Sequence, residues 1–101
     1  MSRLFIFFLL IYALLVPMTS LEAQGSTLRG RVVDTRDSAI TDAEIYVVKG
    51  EQRTLSDVKG NFRLAGVTGQ LVLLGIRKVG YYPVADLVAT NTSQEILVVL
   101  E

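Results

Sequence analysis

The chain has 101 residues, of which 50% are apolar, with 10 Lys and Arg against 10 Asp and Glu. This length fits one domain, and the balanced charge gives no electrostatic reason to bind nucleic acid or an anionic membrane surface. Because the sequence contains no Cys and no His, disulfides, thiolate metal sites and histidine-based catalysis are excluded. We therefore expect neither enzymatic activity nor a cofactor.

The N-terminal segment is an uninterrupted apolar run over residues 4–16, which follows Arg3 and ends at Pro17. This order of positively charged, apolar and more polar parts predicts a secretory signal peptide over residues 1–23, with cleavage after Ala23. As a helix the run would rise about 20 Å, which is short of the roughly 30 Å hydrocarbon core of a membrane. An uncleaved anchor is the alternative, and it is the one way in which we expect the chain to contact a membrane.

The first two predicted strands follow a polar lead-in at residues 24–27. Residues 28–33 alternate between apolar or small and charged side chains, which is typical of a half-buried strand with Leu28, Gly30 and Val32 facing the core. Turn-forming residues follow, and residues 43–48 alternate in the same way. These patterns predict two strands that each contribute one face to a core.

The segment 54–64 has the clearest local pattern in the chain, and we predict a tight β-hairpin there. Leu55 ends one short strand, turn-forming residues follow, and Gly60 can adopt a positive φ angle. Phe62 and Leu64 lie two apart on the next strand, so both are expected to face the core.

The second half of the chain predicts two further strands separated by a bend at Gly80. Residues 70–77 are apolar on both faces, which indicates either a central strand covered on both sides or an interface. Residues 81–88 form the next predicted strand, and Pro83 places it at a sheet edge because proline cannot donate to a ladder. Tyr81 and Tyr82 point to opposite faces, and we expect Tyr81 to be the structural one.

The last predicted strand, residues 96–100, is apolar at every position. Such a strand is either enclosed by neighbouring elements or presents its outer face to a partner, in which case Leu97 and Val99 form a contact surface. An apolar edge strand is also a template for the addition of another strand. About seven short strands separated by turn signals predict an all-β fold, an antiparallel β-sandwich.

Three stretches in this order resemble the carboxypeptidase regulatory-like domain family. They are residues 28–34 with 39–47, which resemble the opening hairpin of the family; residues 55–64, with a Ser-Asp turn, Gly60 and Phe62; and the Gly-Tyr turn at residues 79–81. The resemblance covers residues 28–101 and implies a transthyretin-like sandwich of about seven strands. In bacteria such domains often stand at the N-terminus of TonB-dependent outer-membrane receptors, so it also implies the periplasm or the outer membrane as location.

The candidate functional residues are few, and most have a structural explanation. Asp34, Asp37, Asp42 and Asp57 could bind Ca²⁺, but each lies in a predicted turn, where Asp commonly accepts backbone N–H groups. Tyr46 and Tyr82 could line a glycan or peptide site. We expect a non-enzymatic module that acts by packing or by binding a protein; the alternatives are a glycan- or peptide-binding module and a detached piece of an outer-membrane receptor.

Overall fold

The computed structural model describes residues 25–101, so the predicted signal peptide over residues 1–23 lies outside the described residues. The described part forms seven strands in two packed sheets and contains no helix, which confirms the predicted all-β sandwich. The strands are β1 (Ser26–Asp34), β2 (Glu44–Val47), β3 (Arg53–Leu55), β4 (Asn61–Val67), β5 (Leu71–Arg77), β6 (Val84–Ala89) and β7 (Ile96–Leu100). β1 begins two residues before the strand predicted from the sequence.

The two sheets have the orders β4-β1-β7 and β3-β2-β5-β6. Neighbouring strands are antiparallel, except that β7 runs parallel to β1. A parallel pair cannot be joined by a tight turn. The chain accordingly passes through the other sheet before β7 returns beside β1.

The core lies between the sheets and is formed by the inward residues of the alternating strands. Leu28 and Val32 are buried on β1 as the alternation predicts, and Ile40 enters the core from the connection between β1 and β2. The core side chains are Leu28, Val32, Ile40, Ala43, Ile45, Phe62, Leu64, Val67, Val72, Leu74, Ile76, Val88, Val98 and Leu100. All of them belong to residues 25–101, and they form one contiguous cluster between the two sheets, the arrangement on which the folding of a single domain depends.

The tight β-hairpin predicted over residues 54–64 is wrong, and the opening hairpin implied by the family resemblance is reduced to a single antiparallel bridge. β3 belongs to the four-stranded sheet and β4 to the three-stranded sheet, so the segment between Leu55 and Asn61 crosses from one sheet to the other. β1 and β2 likewise lie in different sheets, and only Val33 forms a bridge, with Ala39. Turn-forming residues identify where the chain reverses, but a reversal between sheets and one within a sheet require similar residues.

The strands of the second half also differ in part from expectation. β5 is central in its sheet, but its outer face is not covered, because Leu71 and Leu73 are exposed. β6 is an edge strand, as Pro83 predicts, but it begins only at Val84. The residues before it form a turn instead, in which the N–H of Tyr81 donates to the carbonyl of Lys78 at 3.0 Å.

Candidate interaction surfaces

The crossing between β3 and β4 has a structural role, and Ser56 lies at its centre. Ser56 is buried; its Oγ donates to the carbonyl of Ile40 at 2.6 Å and accepts the N–H of Ala43 at 2.9 Å. Gly60 has a φ of 80°, and a Cβ at this position would collide with the carbonyl oxygen of Val32. The Ser-Asp-Gly pattern of this segment therefore ties the loop around residues 40–43 to the turn.

Two of the four aspartates considered as Ca²⁺ ligands use their carboxylates to accept backbone N–H groups within turns. Oδ1 of Asp57 accepts the N–H groups of Lys59 and Asn61, each at 2.9 Å. Oδ1 of Asp34 accepts two backbone N–H groups in the same manner. Within residues 25–101 no group of three or more carboxylates is close enough to hold a metal ion.

Tyr46 lies in a cluster of charged side chains on the outer face of the four-stranded sheet. Its ring packs against Gly75, where there is no side chain, and the Cζ of Arg77 lies 4.8 Å from the ring centre, which is a cation–π distance. Glu44 accepts from Arg77 at 3.1 Å and lies 3.9 Å from Arg53. The hydrogen bond to Glu44, followed by Coulombic attraction to it, raises the pKa of the Arg77 guanidinium above its ordinary value.

Beside this cluster is a groove of about 540 Å³. It is lined by Asp42, Glu44, Tyr46, Leu55, Arg77, Lys78, Val79 and Pro83. Tyr82 is not among these residues; it is 78% exposed and its N–H donates to the main-chain oxygen of Glu101 at 2.7 Å. The two tyrosines considered as ligand aromatics therefore do not share one site, and Tyr81 packs against the core instead.

Three leucines form an apolar patch on the outer surface of the four-stranded sheet, and we name Leu71, Leu73 and Leu87 the leucine face. Leu73 and Leu87 are directly opposite each other on β5 and β6, and Leu71 is two residues from Leu73 on the same side. They are 62%, 41% and 63% exposed in the order Leu71, Leu73, Leu87. An outer sheet face in contact with water is normally polar, so this patch is suited to contact with another apolar surface.

A second apolar exposure lies on the three-stranded sheet, at the predicted contact surface of β7. Leu97 is 63% and Val99 43% exposed, whereas Val98 and Leu100 between and beyond them are buried. β7 is an edge strand of its sheet rather than an enclosed one.

The outer face next to β7 is basic. Arg29 and Arg31 lie on β1 between inward residues, and Arg31 is level with Leu97. Arg63 on β4 is level with Arg29. The ion pairs among the described residues involve Arg53 and Arg77, so Arg29, Arg31 and Arg63 have no carboxylate partner there.

Sequence reasoning did not identify the leucine face or the basic face as sites. The signal for the former was present, because residues 70–77 are apolar on both faces. The partnership with Leu87 depends on the pairing of β5 with β6. The grouping of Arg63 with Arg29 depends likewise on the register between β1 and β4, which brings residues that are far apart in the sequence next to each other. Residues 25–101 contain no helix that is long and apolar enough to span a membrane.

Comparison with known proteins agrees with this architecture. The family model for the carboxypeptidase regulatory-like domain matches residues 27–101. No curated protein matches the sequence significantly.

Two crystal structures of type II cohesin–X–dockerin complexes from Acetivibrio cellulolyticus, an N-terminal and a C-terminal interface mutant, are similar in fold. Their TM-scores are 0.56 and 0.58, at 13% and 14% sequence identity. Each match covers 75% of this chain and 57% of the matched chain, so this chain corresponds to little more than half of each matched chain. At such identities the likeness concerns the fold alone.

Proposed function

The chain belongs to the carboxypeptidase regulatory-like domain family, and from this premise we propose that it is an exported, non-enzymatic module that binds another protein. The observation that carries the proposal is the leucine face. Three neighbouring leucines on the outer surface of a sheet expose apolar area that contact with a partner would remove from water. The partner we propose is a protein with an apolar surface of its own, in the periplasm or at the outer membrane.

The composition supports a binding role rather than a catalytic one. Without His or Cys, a nucleophilic serine has no usual base to activate it. Ser56 is buried and both of its hydrogen-bonding capacities are used by main-chain groups. The solved structures of similar fold are themselves complexes between protein modules, which is consistent with the proposed use of such a sandwich.

Export is proposed from the signal peptide pattern of residues 1–23. The family often stands at the N-terminus of TonB-dependent receptors, and a role beside or within such a receptor remains our expectation for the context of the module.

The groove beside Tyr46 is where the alternative function, binding of a glycan or a peptide, would take place. We rank glycan or peptide binding second because the side chains that line this groove already contact one another. The ring of Tyr46 packs on Gly75, and the carboxylate of Glu44 is shared between Arg77 and Arg53.

Site-specific photocrosslinking in cells of the source organism tests the proposed contact. A photoreactive amino acid at Leu87 should give one discrete adduct that mass spectrometry identifies as a protein, and the same probe at the exposed loop residue Glu51 should not. The substitution Leu73→Glu should lower the yield about tenfold or more, because it places a charge in an apolar contact.

Arg63→Gln, on the other sheet, is the matched control and should leave the yield unchanged. Equal adduct formation at positions 87 and 51, or no effect of Leu73→Glu, would remove the leucine face as the contact surface.

A further inference from the structure

The open edge of β7 carries features of a strand-binding site on a different sheet from the leucine face. We propose that β7 accepts an extended segment of another protein as a fourth strand of the sheet, and that this segment carries acidic side chains on the face next to Arg29 and Arg31.

β7 is the one edge of the two sheets without a protective feature in its own sequence. β3 has only three residues and includes Arg53, and β4 carries Arg63. β6 is preceded by Pro83 and contains Asp86. β7, Ile96–Leu100, contains neither a charge nor a proline. Short strands, charges and prolines at edges prevent pairing with other chains, so their absence from β7 favours pairing.

The main-chain groups that a new strand would need are available on β7. A Cβ at Gly30 would collide with the main-chain oxygen of Ile96, which places this oxygen on the side of β1. Because the peptide groups of successive residues in a strand point to opposite sides, those of Leu97 and Val99 point to the open edge. Each of these two residues offers one N–H donor and one C=O acceptor.

The end of β7 already shows that this edge accepts a main-chain donor. Glu101 lies two residues beyond Val99, and its main-chain oxygen accepts the N–H of Tyr82 at 2.7 Å. The peptide groups of Leu97 and Val99 point to the same side of β7 as that of Glu101 and lie closer to the start of the strand. An added segment would extend the hydrogen bonding by about two residue pairs of one ladder.

The charges next to the edge select the chemistry of the segment. Arg31 is level with Leu97 on the neighbouring strand; its Nε donates to the carbonyl of Lys59 at 3.1 Å, and its guanidinium has no carboxylate partner within residues 25–101. Arg29 lies on the same outer face and has no carboxylate partner there either. Strands are spaced about 4.8 Å apart, so a segment added to β7 would lie roughly 10 Å from β1. A long side chain such as Glu can cover Leu97 and Val99 with its methylenes and direct its carboxylate toward these guanidinium groups.

A second copy of this chain fits the edge less well. An antiparallel pair of β7 strands centred on Val98 would set Glu95 of one copy against Glu101 of the other. It would also bring two basic faces into one sheet, and like charges opposite each other are destabilising. Glu95 and Glu101 lie at the two ends of β7, so an acidic segment fits with its carboxylates level with Leu97 and Val99, next to Arg31 and Arg29 and away from those ends.

The test uses residues 25–101 and a short peptide of alternating Glu and Val, with a peptide of alternating Lys and Val as control. Amide hydrogen exchange followed by NMR should show new protection at Leu97 and Val99 in the presence of the Glu peptide. Fluorescence anisotropy should show binding that weakens with rising salt, and no comparable binding of the Lys peptide.

Variants separate the main-chain contribution from the charge. Val99→Pro removes an N–H that faces the open edge and should weaken binding about tenfold, whereas Val99→Thr, which keeps the N–H, should weaken it far less. Arg31→Gln should weaken binding about threefold, and Arg63→Gln, two strands from the edge, should have no effect.

The proposal is overturned if the Glu peptide does not bind, if protection appears elsewhere than on β7, or if the Lys peptide binds equally. It is also overturned if the protein dimerises through β7, which light scattering would detect. The exchange experiment needs no variant, so a failure of Val99→Pro to fold does not prevent a decision. Because the leucine face is on the other sheet, failure here leaves the proposed function standing.

Discussion

At the scale of single residues, the buried hydroxyl of Ser56 shows how a short motif stabilises the fold. Its Oγ bonds with the main chain at Ile40 and Ala43, while its own N–H donates to the carbonyl of Ala43 at 2.9 Å. Asp57 then closes the turn, and Gly60 adopts the left-handed conformation beside the main chain of Val32. The motif therefore fixes the conformation of the turn and supplies no catalytic group.

We predict that Ser56→Ala lowers the free energy of unfolding by about 2 kcal/mol, since it leaves a buried N–H and a buried C=O without a partner. Urea denaturation of residues 25–101 measures the change. Ser38→Ala is the matched control, because Ser38 is exposed and its hydroxyl makes no hydrogen bond within the described residues; its effect should stay within about 0.5 kcal/mol. Equal losses for the two variants would contradict the role given to Ser56.

At the scale of elements, β5 and β7 are both apolar on both faces but occupy different positions. β5 is flanked by β2 and β6, so its main chain is paired on both sides and only its outer side chains are available. β7 is paired on one side, so both its outer side chains and its outer peptide groups are available. The same pattern in the sequence therefore favours side-chain packing at β5 and strand addition at β7.

Adjacent valines on β7 allow a direct check of which face stabilises the fold. We expect Val98→Ala to cost about 2 kcal/mol, because it removes methyl groups from the core, and Val99→Ala to cost less than about 0.5 kcal/mol. Thermal or urea unfolding of the two variants measures the difference. A large loss in Val99→Ala would mean that the outer face of β7 packs within the molecule and is not free for a partner.

At the scale of the whole molecule, the two sheets present different outer surfaces. The four-stranded sheet carries the leucine face together with the charge-paired cluster at Glu44 and Arg77, and the three-stranded sheet carries Arg29, Arg31 and Arg63 next to β7. The formal net charge of the chain is +0, but the outer face of the three-stranded sheet is basic. Segregation of this kind suits a module with two separate contacts, one through packing and one through an added strand.

Export is a property of the whole chain, and we predict that the protein recovered from an extracytoplasmic fraction begins at Gln24. Cleavage after Ala23 follows from the position of the polar segment behind the apolar run. Intact mass spectrometry of the protein expressed from the full sequence measures the N-terminus. An intact Met1 in a membrane fraction would instead support the uncleaved anchor.

The sequence alone determined the number of strands, the inward positions of β1 and the turn at Gly60, because alternation of side chains and the conformational freedom of glycine are local properties. It could not determine that β3 and β4 belong to different sheets, that Leu87 completes the leucine face, or that Arg63 lies beside Arg29. Those are results of strand pairing, and pairing depends on how inward faces far apart in the chain fit into one core. The tertiary structure also decided that β7 is an edge strand of the sheets formed by residues 25–101, since an apolar strand has the same sequence pattern whether it is enclosed or exposed.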